Sequence, residues 1–144
     1  RKTLEMDPHF APAHQTLGWA YLNQGKFEQA LNQFQQAVQL SGGDDKELML
    51  DLGFAEATAG KREEARAILA TFTRLHNQGT VPSASIGILY GALGDTNQAF
   101  AWLQKAYAER DPELTYLKVP NRRFAPLRHD PRFQQLLAQV GLPN

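Results

Sequence analysis

Between Ala11 and Ala108 the apolar side chains fall into stripes of helical period, and the stripes come in pairs. Leu17 and Tyr21 stand four apart on one run; past a polar break at Gly25, Phe27, Ala30, Leu31, Phe34, Ala37 and Val38 form an i, i+3, i+4, i+7 stripe on the next. So short a connection makes the two helices antiparallel neighbours. Gly18 and Ala30 stand where their faces meet, and small side chains there let the backbones approach while Leu17, Tyr21 and Phe34 fill the flanking space.

The pair recurs. Gly25, Gly60 and Gly94 are 35 and 34 residues apart, and both the series Ala30, Ala65, Ala99 and the series Gly18, Gly53, Gly87 keep those intervals. Three small residues holding one phase predict three copies of a helix-turn-helix unit. Leu17-Gly18-x-x-Tyr21 followed by Ala30-x-x-x-Phe34 resembles the tetratricopeptide repeat, and Gly87-x-x-Tyr90 with Ala99-x-x-x-Leu103 resembles it again. The resemblance implies an all-α fold, a right-handed superhelical solenoid with repeats at 11–45, 46–79 and 80–111. There are departures: His14, Met49 and Ser83 replace an aromatic near the start of each first helix, and Glu56 stands where the other copies have Tyr21 and Tyr90. The first copy ends in "SGGDD" where a proline is usual, with one extra residue.

After the third copy the pattern changes. Asp111-Pro112 and Asp130-Pro131 each read as an N-cap followed by proline in the first turn, predicting two short helices. The second carries Phe133, Leu136, Leu137 and Val140 on one stripe and stops at Gly141. Stacked repeats leave an apolar end that needs covering, so residues 112–144 are expected to form a C-terminal cap. The opening "RKTLEMDP" is helix-compatible as far as Asp7-Pro8, so residues 1–10 read as the end of a preceding repeat and Arg1 as a cut within a longer polypeptide. The tail motifs "YLKV", "PLRHDPRF" and "GLP" are similar to the C-terminal end of tetratricopeptide domains in multidomain bacterial signalling proteins, which follow winged-helix, adenylate cyclase or serine/threonine kinase modules.

Composition narrows the functions. The 144 residues suit one domain, and 15 basic against 15 acidic side chains leave no global field to draw in nucleic acid or anionic lipid. The absence of cysteine removes disulfides, thiolate metal sites and a cysteine nucleophile. The most apolar stretch, residues 84–94, is far shorter than the roughly 20 residues a bilayer span needs, so no membrane contact is expected in this segment and the cytoplasm is the favoured compartment.

No catalytic motif is present, and no catalytic residue, cofactor or metal is expected. Asp44-Asp45 and Glu63-Glu64 do not share a helical face and read as solvated surface. His9 and His14 lack further ligands nearby, and His76 and His129 are isolated. Glu56 reads as a partly exposed acid paired with a neighbouring base. Arg122, Arg123, Arg128 and Arg132 alternate with Phe124 and Phe133 in a way that superficially suits phosphate contact and base stacking. The phenylalanines are better explained as anchors beneath the cap, and nucleic acid is not an expected partner.

The resemblance further implies that the first helix of each copy lines a concave groove. By alignment its stripe holds Pro12, Gln15, Trp19, Leu22 and Asn23, then Glu47, Leu50, Phe54, Ala57 and Thr58, then Val81, Ala84, Ile88, Gly91 and Ala92. Trp19, Phe54 and Ile88 are expected to form an apolar row, too hydrophobic to stand fully in water. That row predicts a non-catalytic protein–protein interaction scaffold receiving a peptide or helix from a partner protein, which includes another copy or another domain of the parent chain. The alternative is a regulatory or sensory C-terminal domain of a larger signalling enzyme or transcription regulator, its groove contacting its own chain. No lysine stands on the first stripe, which disfavours the family's carboxylate-gripping mode.

Overall fold

Each first helix ends in the same way because the same small residue recurs there. The computed structural model describes residues 11–43, 45–117 and 123–141, the Tyr116 side chain excepted. Those residues are all-helical, with seven α-helices, two short 3-10 turns and no strand. The α-helices are α1 (Ala11–Asn23), α2 (Phe27–Leu40), α3 (Lys46–Thr58), α4 (Arg62–Asn77), α5 (Ser83–Ala92), α6 (Thr96–Ala108) and α7 (Pro131–Val140). The expected terminal helix in residues 1–10 lies outside the described residues. Contacts divide the chain at Ile68/Leu69 into two compact units.

Three residues join α1 to α2, α3 to α4 and α5 to α6. In each link a glycine takes a left-handed conformation, Gly25 at φ 76°, Gly60 at 86° and Gly94 at 87°. The next amide then reaches back to close the helix: Lys26 N–H to Tyr21 O at 2.9 Å, Lys61 to Glu56 at 2.8 Å, Asp95 to Tyr90 at 2.9 Å. This six-to-one bond is the Schellman closure, and it satisfies a carbonyl that the helix end would otherwise orphan.

In the first unit α1 packs on α2, and α2 on α3. Gly18 permits the first crossing, since a Cβ built there would sit 2.9 Å from Cε1 and Cζ of Phe34. The Phe34 ring, without solvent exposure, meets Trp19 edge-on at 5.7 Å between centroids. Asp45 begins α3 by accepting from the amides of Glu47 (3.0 Å) and Leu48 (3.2 Å), so one carboxylate read as mere surface is an N-cap.

In the second unit α5 packs on α6, and Gly87 repeats the device, its missing Cβ lying 3.0 Å from Leu103 Cγ and 3.1 Å from the Ala99 carbonyl oxygen. Pro82, at the N-cap of α5, offers no capping side chain. The carboxylate of Asp111 supplies it instead: Oδ2 accepts from Ala84 N–H at 3.1 Å, while Oδ1 accepts from Glu113 N–H at 3.0 Å. Beside it Ser83 Oγ donates to Glu109 Oε1 at 2.6 Å.

Asp111 thus caps a turn as expected, but the turn is a 3-10 segment, Pro112–Tyr116, and not an α-helix. Leu114 and Leu117, three apart, are both buried, and a period of three aligns them better than 3.6. A second 3-10 turn, Ala125–Leu127, packs on α5, with Leu127 Cγ at 3.1 Å from where a Gly91 Cβ would be. Asp130 caps α7 through the Arg132 amide at 2.9 Å, and Gly141 ends it at φ 86°.

Gly18→Leu should lower unfolding free energy by about 1–3 kcal/mol in a denaturant titration, because Phe34 has no space to retreat. Asp111→Ala should cost about 1–3 kcal/mol by the same measurement, since it strands two amides at once. Unchanged midpoints in either variant would contradict the close crossing or the shared cap.

Candidate functional site

In the first unit, α1 and α3 meet side chain to side chain. Trp19 and Phe54 have ring centroids 5.4 Å apart, tilted by 45°. Next to them lies Asp51, with no solvent exposure. Its Oδ2 accepts from Gln15 Nε2 at 2.7 Å and from Trp19 Nε1 at 3.2 Å. Gln15 and Trp19 stand four apart on α1, so both donors descend on one carboxylate from a single helical face. A buried carboxylate is tolerated only where such donors converge on it, and this one fixes both the indole orientation and the registration of α1 on α3.

Residues of the expected groove differ in what they offer to solvent. Trp19, Leu22, Leu50 and Phe54 are buried, Gln15 is half-buried, and Asn23 and Thr58 are exposed. Thr58 Oγ1 donates to the Phe54 carbonyl at 2.9 Å. The α1/α3 face is therefore a polar edge, with Asn23 and Thr58 outermost, over an apolar floor. In the second unit Ala84 and Ile88 have no exposed surface, and Gly91, on the same stripe, is covered by Leu127 of the tail. Neither Ala84 nor Ile88 stands open to a partner in this structure, because α6 and the tail fill the space around α5.

Asp51 escaped the sequence reading. It stands among Leu48, Met49, Leu50 and Leu52, and an acid within such a run signals a buried carboxylate that must find donors, here supplied by the preceding helix pair. His14 is also buried, its Nδ1 2.6 Å from Gln33 Oε1, which makes Nδ1–H the donor. Among the described residues no three His, Asp or Glu side chains gather as a metal site would require.

Glu56 is buried rather than partly exposed, and its expected pairing is absent at one oxygen: Oε1 has no hydrogen-bond partner. Burial lifts its carboxyl from the ordinary range to about 7, Glu64 adding to the rise and Lys61 opposing it.

The arginines of the tail are engaged. Arg132 binds both Asp130 oxygens at 3.0 and 2.9 Å, reaches Asn97 Oδ1 at 2.9 Å, and lies 4.7 Å over the Phe100 ring. Those bonds hold the Asp130 carboxyl down at about 2. Arg128 donates to the Leu117 carbonyl at 3.0 Å and covers Phe133, and Arg123 meets Glu113 at 3.0 Å. Phe124 and Phe133 are buried, so neither ring is available for base stacking. Arg122 lies outside the described residues.

Asp51→Leu should destabilise the chain by about 1–3 kcal/mol in a denaturant titration, because it unpairs the Trp19 and Gln15 donors and puts a larger side chain in a buried site. A neutral or stabilising result would show that the carboxylate costs more than its donors return.

Residues 11–44, which include the α1–α2 pair, match the tetratricopeptide repeat family. No curated protein matches the chain, and no solved structure does. Tetratricopeptide repeats generally mediate protein–protein interaction and are typically non-catalytic. No helix among the described residues is long and apolar enough to cross a membrane.

Proposed function

We propose that the chain is a non-catalytic protein-interaction scaffold that receives an extended or helical segment of a partner protein along the α1/α3 face. The observation that carries this reading is the Gln15–Asp51–Trp19 junction. It locks two successive first helices side by side, so that their outer edge is preformed and little ordering is required on binding. Asn23, Thr58 and the exposed part of Gln15 supply hydrogen-bonding groups along that edge, above the Leu22, Leu50, Trp19 and Phe54 floor.

The chemistry of the face selects the partner segment. None of Gln15, Leu22, Asn23, Leu50 or Thr58 carries a charge, and the one carboxylate beneath them is already held by two donors. A neutral segment with one or two modest apolar side chains and free backbone amides fits this edge, and its affinity should vary little with salt.

Peptides selected by display against the chain provide the test. Their binding should shift the amide resonances of Gln15, Asn23, Leu50 and Thr58, and Asn23→Arg or Thr58→Arg should weaken it roughly tenfold or more with the unfolding midpoint unchanged. Shifts confined to the outer positions of α2, such as Asn32, Gln35 and Gln39, would overturn the assignment.

A further inference from the structure

Among the described residues, the unpartnered Oε1 of Glu56 is a buried side-chain oxygen that the fold does not satisfy. The residue is 7% exposed and occupies the last turn of α3, in the place held by Tyr21 on α1 and Tyr90 on α5. A tyrosine there brings a neutral ring. Glu56 brings an acid to the point where the chain turns into α4, and its own carbonyl accepts the 2.8 Å bond from Lys61 that closes the turn.

The charges around it give an ionised carboxyl poor support. Glu64 on α4 repels it. Lys61, in the turn, attracts it, but Lys61 Nζ also lies 3.8 Å from Glu28 Oε2 on α2, where the Glu28 side chain is largely in water and that of Lys61 is partly so. Along α1 there is no Asp, Glu, Lys or Arg, and its one titratable imidazole, His14, is engaged with Gln33.

We propose that Glu56 makes the α3–α4 turn proton-sensitive: with a proton on its carboxyl the turn is closed and packed, and loss of that proton loosens it. A neutral carboxyl carries no charge to desolvate, so its unanswered oxygen is a modest cost. A carboxylate in the same place carries a charge with no donor on Oε1, and desolvation makes that far more expensive. The ionised group must turn outward toward Lys61, which takes Lys61 from Glu28 and pulls on the residue whose amide closes the turn.

The direction follows from the lifted carboxyl. Because the folded chain holds the proton more tightly than the unfolded one, this contribution to stability is complete below the ordinary carboxylate range. It is shed as pH climbs to about 7.

Carbon-detected NMR of the intact chain should show the Glu56 side-chain carboxyl titrating with a midpoint near 7. A midpoint in the ordinary carboxylate range would overturn the proposal, and this measurement needs no variant. Hydrogen-exchange protection of the Lys61 amide should fall as pH rises from the ordinary carboxylate range to about 7, by up to about two orders of magnitude. In Glu56→Gln, which cannot ionise, that fall should disappear. An equal fall in the variant would assign the sensitivity to another group and refute the role of Glu56.

Discussion

Two helices can lie close only if one of them lacks a side chain where the other crosses. That constraint governs both units. Gly18 admits the Phe34 ring to within 2.9 Å of where a Cβ would stand, and Gly87 admits Leu103 and the Ala99 carbonyl in the same manner. With the crossing fixed, the remaining side chains have few places to go. Phe34 meets Trp19 with the two rings nearly perpendicular, Trp19 is held against Phe54, and its indole N–H arrives at Asp51. The candidate docking edge is a late member of that sequence of constraints. Its geometry is inherited from an absent methyl group on the opposite contact of α1, where that helix crosses α2.

Phase was the most legible property of the sequence. The intervals between Gly25, Gly60 and Gly94 locate the three turns, and each has the same left-handed glycine and the same back-reaching amide. Local chemistry was legible where it is encoded within a few residues, as in the caps at Asp111 and Asp130 and the stop at Gly141. What depends on distant partners was not. The Asp51 junction joins residues 36 and 32 positions apart, and the second duty of Asp111 reaches back 27. Periodicity also tells which face a residue occupies but not what covers it. Ala84 and Ile88 share a stripe with Gly91, and nothing in their spacing announces that Leu127 of the tail closes over that stripe.

Charge is distributed in a consistent way. The tail arginines are neutralised or seated on rings, Arg132 by Asp130 and Phe100, Arg128 by a carbonyl and Phe133, Arg123 by Glu113. The polar positions Gln15, Asn23 and Thr58 of the α1/α3 edge carry amide and hydroxyl groups, and the exposed Glu47 at the start of α3 adds one carboxylate. A surface of this type recognises by shape and hydrogen bonds, with little long-range steering, so encounter is expected to be slow and selectivity to rest on fit. Glu56 is the departure from this economy of charge, an acid placed where two sister positions are aromatic and neutral.

The carboxylate of Asp111 has a temporal implication as well as a spatial one. It serves the start of α5 although it lies beyond the end of α6, so α5 cannot have its first turn completed when its own residues leave the ribosome. Synthesis must run on through α6 to Asp111 before Ala84 N–H acquires its acceptor. The acceptor that caps the leading helix of the third pair is thus the last part of that pair to be synthesised.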